Sequence, residues 1–189
     1  MIRIGILGDI GSGKSFVAKS FGYPVFDADK EVIRLYKKDK KVFEDLKKLL
    51  PKYISSFPIK KSEIIKAVLE NRNNLKKIVK VVHVKVRKKM NLFLKRNKKK
   101  KIVILDIPLL LENKINKKKD ILVFVQSKKS DIEKKLKKRD GFNKKMIKNF
   151  KNIQLPLDYK KKISHFTIKN NFTNKSVKKD IKTILKKVL

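Results

Sequence analysis

The sequence predicts a three-layer α/β fold built on a mainly parallel sheet, and three observations carry that prediction. Short apolar runs alternate with helical patterns along most of the 189 residues. The first run, from about Ile2 to Leu7, leads directly into Gly8-Asp9-Ile10-Gly11-Ser12-Gly13-Lys14-Ser15. A helix-compatible stretch from Phe16 to Phe21 follows at once. Alternating strands and helices stack as α/β layers, and apolar runs without polar alternation suit strands covered on both faces.

Each element follows from local chemistry. The helix after the glycine loop is expected to stop near Gly22, which readily takes the left-handed conformation that ends helices. Pro24-Val25-Phe26 reads as a short second strand ending in Asp27-Ala28-Asp29. A helix over about Lys30 to Lys37 follows, and either Asp27 or Asp29 can cap it. Lys38 to about Lys61 is loosely helical, with breaks at Pro51 and Pro58. Ser62 is a cap-like start for a helix through Glu70. Between Asn73 and Asn97 two periods compete: Val82, Val84 and Val86 alternate, whereas Leu75, Val79, Val82, Val86, Met90 and Phe93 recur every three or four residues. The length favours one long helix.

Ile102 to Leu105 forms a buried strand closed by Asp106, and Ile121 to Val125 forms another. Helices are expected over Ser130 to Arg139 and Asn143 to Asn152, and Pro156 breaks the chain. His165 to Ile168 makes a last strand, and Ser176 to Leu189 a closing amphipathic helix. The expected organisation is a single domain over residues 1–189. Its core comprises 1–37, 101–140 and 163–189, with a helical lobe over about 38–100 and a lid over about 141–162.

The motif G-x-x-x-x-G-K-S between a strand and a helix is a phosphate site. Its glycines let successive backbone N–H groups point at a polyphosphate, and the helix N-terminus adds positive potential. Gly8, Gly11, Ser12, Gly13, Lys14, Ser15 and Phe16 are therefore expected to bind a nucleoside triphosphate. Lys14 would reach the β- and γ-phosphates, and Ser15 would ligate Mg²⁺. Asp27 and Asp29 end a strand where open α/β sheets bind ligands. Asp106 closes a buried strand where such proteins hold Mg²⁺ and its waters. On local pattern alone, His83 reads as a structural histidine on a helix.

Composition sets the outer bounds. The chain has no cysteine, so disulfides and thiolate metal sites are excluded. It opens directly on a strand, so no signal peptide is expected, and no apolar run reaches the length of a membrane span. A cytoplasmic monomer without a membrane partner is expected. The formal net charge is +37, from 54 Lys and Arg against 17 Asp and Glu. Only six of the cations are Arg, they spread along the whole chain, and Asn, Ile and Phe are also abundant. That is the signature of an A+T-rich coding sequence, so no specific nucleic-acid partner is expected. The charge still draws anionic ligands, and salt screens it.

The motifs together resemble the dephospho-CoA kinase family of the P-loop nucleotide kinases, over nearly the whole chain and in order. Gly8 to Ser15 is similar to the family's loop, and Phe26-Asp27-Ala28-Asp29 to its V-I-D-A-D segment. His83 with Val86-Arg87 is similar to His-Pro-x-Val-Arg, and Pro108-Leu109-Leu110-Leu111-Glu112 to P-L-L-x-E. Arg139, Gln154 and Asn170-Asn171 fall where the family has a lid arginine, a glutamine and an asparagine pair. Asp9 stands in place of a small residue, Val84 of proline, Lys135 of arginine, and Phe172 of glycine.

The resemblance implies a P-loop kinase fold and transfer of the γ-phosphoryl of ATP to the ribose 3′-hydroxyl of dephospho-CoA. It implies Asp29 as the group accepting or orienting the hydroxyl proton, with Lys14 and Arg139 stabilising transferred charge. Asn170 would contribute to nucleotide binding, and Ser15, Asp27 and Asp106 would hold Mg²⁺. Asp29, His83, Arg87, Leu109 and Glu112 would contact the acceptor. Two other readings stay open, a different small-molecule or nucleotide kinase and a basic nucleic-acid-binding protein. A GTPase is disfavoured, because Asn113-Lys114-Ile115-Asn116 lacks the aspartate of a guanine-reading N-K-x-D segment.

Overall fold

A computed structural model describes residues 1–138 and 143–189. In chain order the elements are β1 (Ile2–Gly8), α1 (Lys14–Ser20), β2 (Val25–Asp27), α2 (Ala28–Lys38), α3 (Lys40–Leu49), α4 (Lys61–Glu70), α5 (Arg72–Arg96), β3 (Ile102–Asp106), β4 (Ile121–Gln126), α6 (Lys129–Lys137), α7 (Lys144–Lys151), α8 (Leu157–Lys162), β5 (Phe166–Lys169) and α9 (Asn174–Val188). They form two compact units. One comprises Met1–Asp27, Leu94–Phe142 and Gln154–Leu189, and the other Ala28–Phe93 and Asn143–Ile153. The division thus falls at Ala28 rather than near residue 38, and α7 belongs with the second unit.

The first unit is a five-stranded sheet of order β2-β3-β1-β4-β5 in which every pairing is parallel. Alternate residues point to one face, as the strand period requires. Ile4 and Ile6, Ile102 and Ile104, Val123 and Val125, and Ile168 are buried there with Val17, Ala18 and Phe21 of the α1 region. Val177, Ile181 and Ile184 of α9 complete that layer. The intervening residues Val103, Leu105, Leu122 and Phe124 are buried too. Burial on both faces explains why these strands read as continuous apolar runs. Neighbouring strands β1 and β3 send their connections in opposite directions along the sheet, to β2 and to β4. Such a switch point opens a crevice at the carboxyl ends of the strands, and the glycine loop lies there.

The second unit is helical. In α5 the buried residues Leu75, Ile78, Val82, Val86 and Met90 mark one stripe, while Val84 is 53% exposed. The helical period wins over the valine alternation because only one face of the segment finds a partner. Three details depart from the sequence expectations. The helix after β2 begins at Ala28, so Asp29 lies in its first turn rather than capping it. The cap position of α4 is Lys60, not Ser62. The reason is Glu63, whose carboxylate accepts the backbone N–H groups of Lys60, Ser55 and Ser56 and the hydroxyls of both serines. Burial works against that charge, but these donors outweigh it and hold the Glu63 pKa at about 2. Finally, α8 follows Pro156 where only a break was expected, with the proline itself as N-cap.

Candidate active site

The glycine loop joins β1 to α1 in the first unit, and its backbone is shaped by positions that tolerate no side chain. Gly8 has φ 145°, and a Cβ there would lie 2.7 Å from the Val125 carbonyl oxygen. Gly13 is the N-cap of α1 with φ 86° and ψ 24°, a left-handed conformation, and a Cβ there would collide with the Asn170 amide. Left-handed glycines before a helix N-terminus are the backbone pattern that lets successive N–H groups converge on an anion. The Lys14 ammonium donates to the carbonyls of Asp9 at 2.7 Å and Gly8 at 3.2 Å. It is thus folded back across the loop, within it rather than in solvent. The Asp9 carboxylate accepts the Ile10 N–H at 2.7 Å, and its carbonyl also accepts the Ser12 N–H at 3.2 Å.

Two carboxylates stand on the β2–β3 side. Asp27 and Asp106 are register partners across those strands, and Asp106 is only 4% exposed. Burial raises the Asp106 pKa, and the charge of Asp27 pushes it the same way. The nearby Ser15 hydroxyl and the cations Lys14 and Lys19 work in the opposite direction. Two carboxylates and a hydroxyl fit Mg²⁺, a hard cation that uses one or two carboxylates and fills its other positions with phosphate oxygens and water.

On the β4–β5 side, neutral side chains brace the loop. Ser127 Oγ and Asn170 Nδ2 both donate to the Ser12 carbonyl, at 2.9 and 2.8 Å. Asn170 is therefore a buried brace of the loop. Its other amide atom, Oδ1, accepts the N–H of Phe172 at 2.8 Å. Phe16 lies in the first turn of α1, with its side chain against the core.

Leu109 and Glu112 lie in the turns after β3. The Leu109 carbonyl accepts the Asn113 N–H at 3.1 Å. Glu112 Oε1 lies 2.7 Å from the ammonium of Lys160 and accepts the Leu155 N–H at 2.9 Å. Lys160 is 1% exposed and also donates to Gln154 Oε1 at 3.3 Å. Sequence reasoning missed Lys160 and Ser127. One lysine among 54 cations carries no local signal of burial, whereas a serine just after β4, beside the loop, could have been found from the sheet topology.

The loop residues, Asp27, Asp106 and Asn170 thus gather in the first unit. Asp29, His83 and Arg87 lie in the second, on α2 and α5. Asp29 is exposed. His83 and Arg87 are one helical turn apart on α5. His83 Nε2 is buried without a hydrogen-bond partner. Burial, then the positive charge of Arg87, lowers its pKa. Arg139 lies outside the described residues.

The dephospho-CoA kinase family model matches residues 2–176. The chain belongs to the dephospho-CoA kinase family. A dephospho-CoA kinase of Wolbachia sp. subsp. Brugia malayi is 33% identical over 187 residues, covering 96% of this chain and 95% of that protein. The crystal structure of TT1252 from Thermus thermophilus superposes with a TM-score of 0.78 at 27% identity, covering 100% of this chain and 98% of that one. A dephospho-CoA kinase from Campylobacter jejuni shares the fold, with a TM-score of 0.62 at 20% identity over 98% and 96% of the two chains. The P-loop kinase fold expected from the sequence is the fold observed. Membership of a P-loop kinase family implies ATP as a substrate. Among the described residues, no helix is long and apolar enough to cross a membrane.

Proposed function

We propose that this chain transfers the γ-phosphoryl group of ATP to the ribose 3′-hydroxyl of dephospho-CoA, releasing CoA and ADP, the last step of coenzyme A biosynthesis. The observation that carries this reading is the pairing of Asp27 with the buried Asp106 at the ends of β2 and β3, on the sheet edge where the glycine loop lies, in a chain of this family. Two carboxylates at this edge would supply ligands for Mg²⁺ beside a loop suited to phosphates.

Phosphoryl transfer of this kind depends on positioning and charge neutralisation more than on covalent chemistry. The loop N–H groups and the α1 terminus hold the phosphates. Lys14 exchanges its carbonyl partners Gly8 and Asp9 for phosphate oxygens, a better match for an ammonium. Ser15, Asp27 and Asp106 would hold Mg²⁺, which when bound neutralises charge on the β- and γ-phosphates. Asp29 orients or accepts the proton of the attacking hydroxyl. His83, Arg87 and Leu109 bind the acceptor, and Arg139 stabilises charge on the transferred group. Glu112 supports the acceptor site through its bond to Lys160. The protein acts as a monomer in the cytoplasm.

Release of ADP, followed in a coupled assay with Mg²⁺-ATP, tests the reading. Turnover is expected only when dephospho-CoA is added and is abolished by Lys14→Ala, which removes charge but no core packing. ADP release at the same rate without dephospho-CoA, or full activity in the folded variant, overturns it.

A further inference from the structure

A carboxylate is out of place in a loop suited to phosphates. Charge complementarity asks such a loop for donors and cations, yet Asp9 adds an anion directly after Gly8. Its side chain does not turn away from the loop. Oδ1 accepts the N–H of Ile10 at 2.7 Å, and the residue is half-buried. Its carbonyl accepts the Ser12 N–H at 3.2 Å and the Lys14 ammonium at 2.7 Å. Asp9 is thus tied to the loop through both its side chain and its main chain.

These bonds limit how far the carboxylate can lie from a bound phosphate. The carbonyl that holds Lys14 and the carboxylate belong to one residue. A few bonds of about 1.5 Å therefore keep the carboxylate within about 8 Å of that ammonium. On the reading that the loop seats the donor phosphates, Lys14 is the cation that meets them. A separation of this size is no greater than the screening length at physiological ionic strength, about 8 Å. Half-burial of Asp9 weakens the screening further. Phosphates in the loop therefore feel the Asp9 charge.

The other carboxylates of the site act in the same sense. Asp27 and Asp106 are register partners at the ends of β2 and β3, and Lys14 and Ser15 are close enough to Asp106 to act on its charge. Metal-free ATP meets these anions with the full charge of its phosphates. Mg²⁺ cancels part of that charge and itself attracts carboxylates. The net charge of +37 makes no such distinction. It draws every polyanion towards the protein, whether or not a metal accompanies it. Selection between the two forms of the nucleotide has to be local.

We propose that Asp9 is a specificity-determining residue of the donor site, admitting the nucleoside triphosphate as its Mg²⁺ complex and turning away metal-free polyphosphates. The main chain of Asp9 shapes the loop, and its charge sorts the ligands that the field of the protein brings in. Metal-free nucleotide would occupy the loop without the cation that the transfer needs, so its exclusion keeps the loop open for the productive complex.

The test is titration of the full chain with ATP in excess Mg²⁺ and with ATP in EDTA, at one ionic strength, before and after Asp9→Asn. The amide keeps an acceptor for the Ile10 N–H and removes only the charge. Asp9→Asn is expected to tighten metal-free ATP about tenfold, the Coulomb effect of one charge at this separation in a partly screened site. Mg²⁺-ATP should tighten less than about threefold, because the metal already offsets the repulsion. Unchanged binding of metal-free ATP overturns the proposal. Equal tightening of both ligands overturns it too, as the mark of repulsion without selection. Weaker binding of both would show that the side chain serves only the shape of the loop, and the proposal would again fail. Failure of the loop reading looks different: Lys14→Ala would leave both titrations as they are, and the proposal would fall with it.

Discussion

Asp106 is a buried carboxylate with a second carboxylate as its strand neighbour, and both burial and that neighbour raise its pKa. A group whose pKa is raised on folding favours the native state while it is protonated. That contribution is complete below the ordinary aspartate value and is lost as pH rises through the raised one. Ionisation of this side chain therefore works against stability. Asp106→Asn should raise Tm at pH 7 and bring little or no gain near pH 3, while kcat falls sharply. Melting curves at the two pH values, with the ADP assay, check this. A lower Tm at pH 7 would show that Asp106 contributes chiefly through its polar contacts rather than through the cost of its buried charge. Asp29 is exposed in the first turn of α2, so it carries little packing. Asp29→Asn should cut kcat about a hundredfold or more with ATP affinity unchanged. An effect on ATP affinity alone would transfer the role of base to Asp27.

At the scale of elements, the short α8 is tied into the first unit by an ion pair rather than by apolar contact alone. Lys160 is its one buried residue, and its ammonium meets Glu112 in the turns after β3. Glu112 Oε2 is buried without a partner, so this carboxylate has no reserve if Lys160 is lost. Removing one member of a buried pair typically costs about 3–5 kcal/mol, whereas replacing both by neutral groups can cost almost nothing. Lys160→Met should destabilise by that order in denaturant melts, and Glu112→Gln with Lys160→Met should recover most of it. If the double variant is folded yet has a raised KM for dephospho-CoA, Glu112 also supports the acceptor. A double variant no more stable than the single one would mean the pair adds little beyond its hydrogen bonds.

For the whole molecule, the formal charge of +37 creates a field that draws in both anionic substrates. At physiological ionic strength this field decays over about 8 Å, so it aids capture more than chemistry. Raising salt from about 0.05 to 0.5 M should increase KM for ATP and for dephospho-CoA, with kcat little changed. A kcat that falls in step with KM would show that distant lysines act on the transferred group itself.

The sheet and the loop were legible in the sequence because their signals are local. An apolar run such as Ile102 to Leu105 must be buried on both faces, and G-x-x-x-x-G-K-S between strand and helix has few other uses. The long α5 was legible from its period over 25 residues, which no short valine alternation can match. Other features depend on partners remote in sequence. Lys160 is buried only because Glu112, 48 positions earlier, comes to lie beside it. Glu63 moves the start of α4 by collecting donors from Ser55, Ser56 and Lys60. Phe172, a departure from family pattern when read in sequence, becomes a ring mounted on the loop through Asn170. Hydrophobic period and loop chemistry are properties of neighbouring residues, so the sequence by itself determined the fold class and the glycine loop between β1 and α1. Which charges are buried and which side chains brace the loop are properties of chain crossings, and only the tertiary structure decided them.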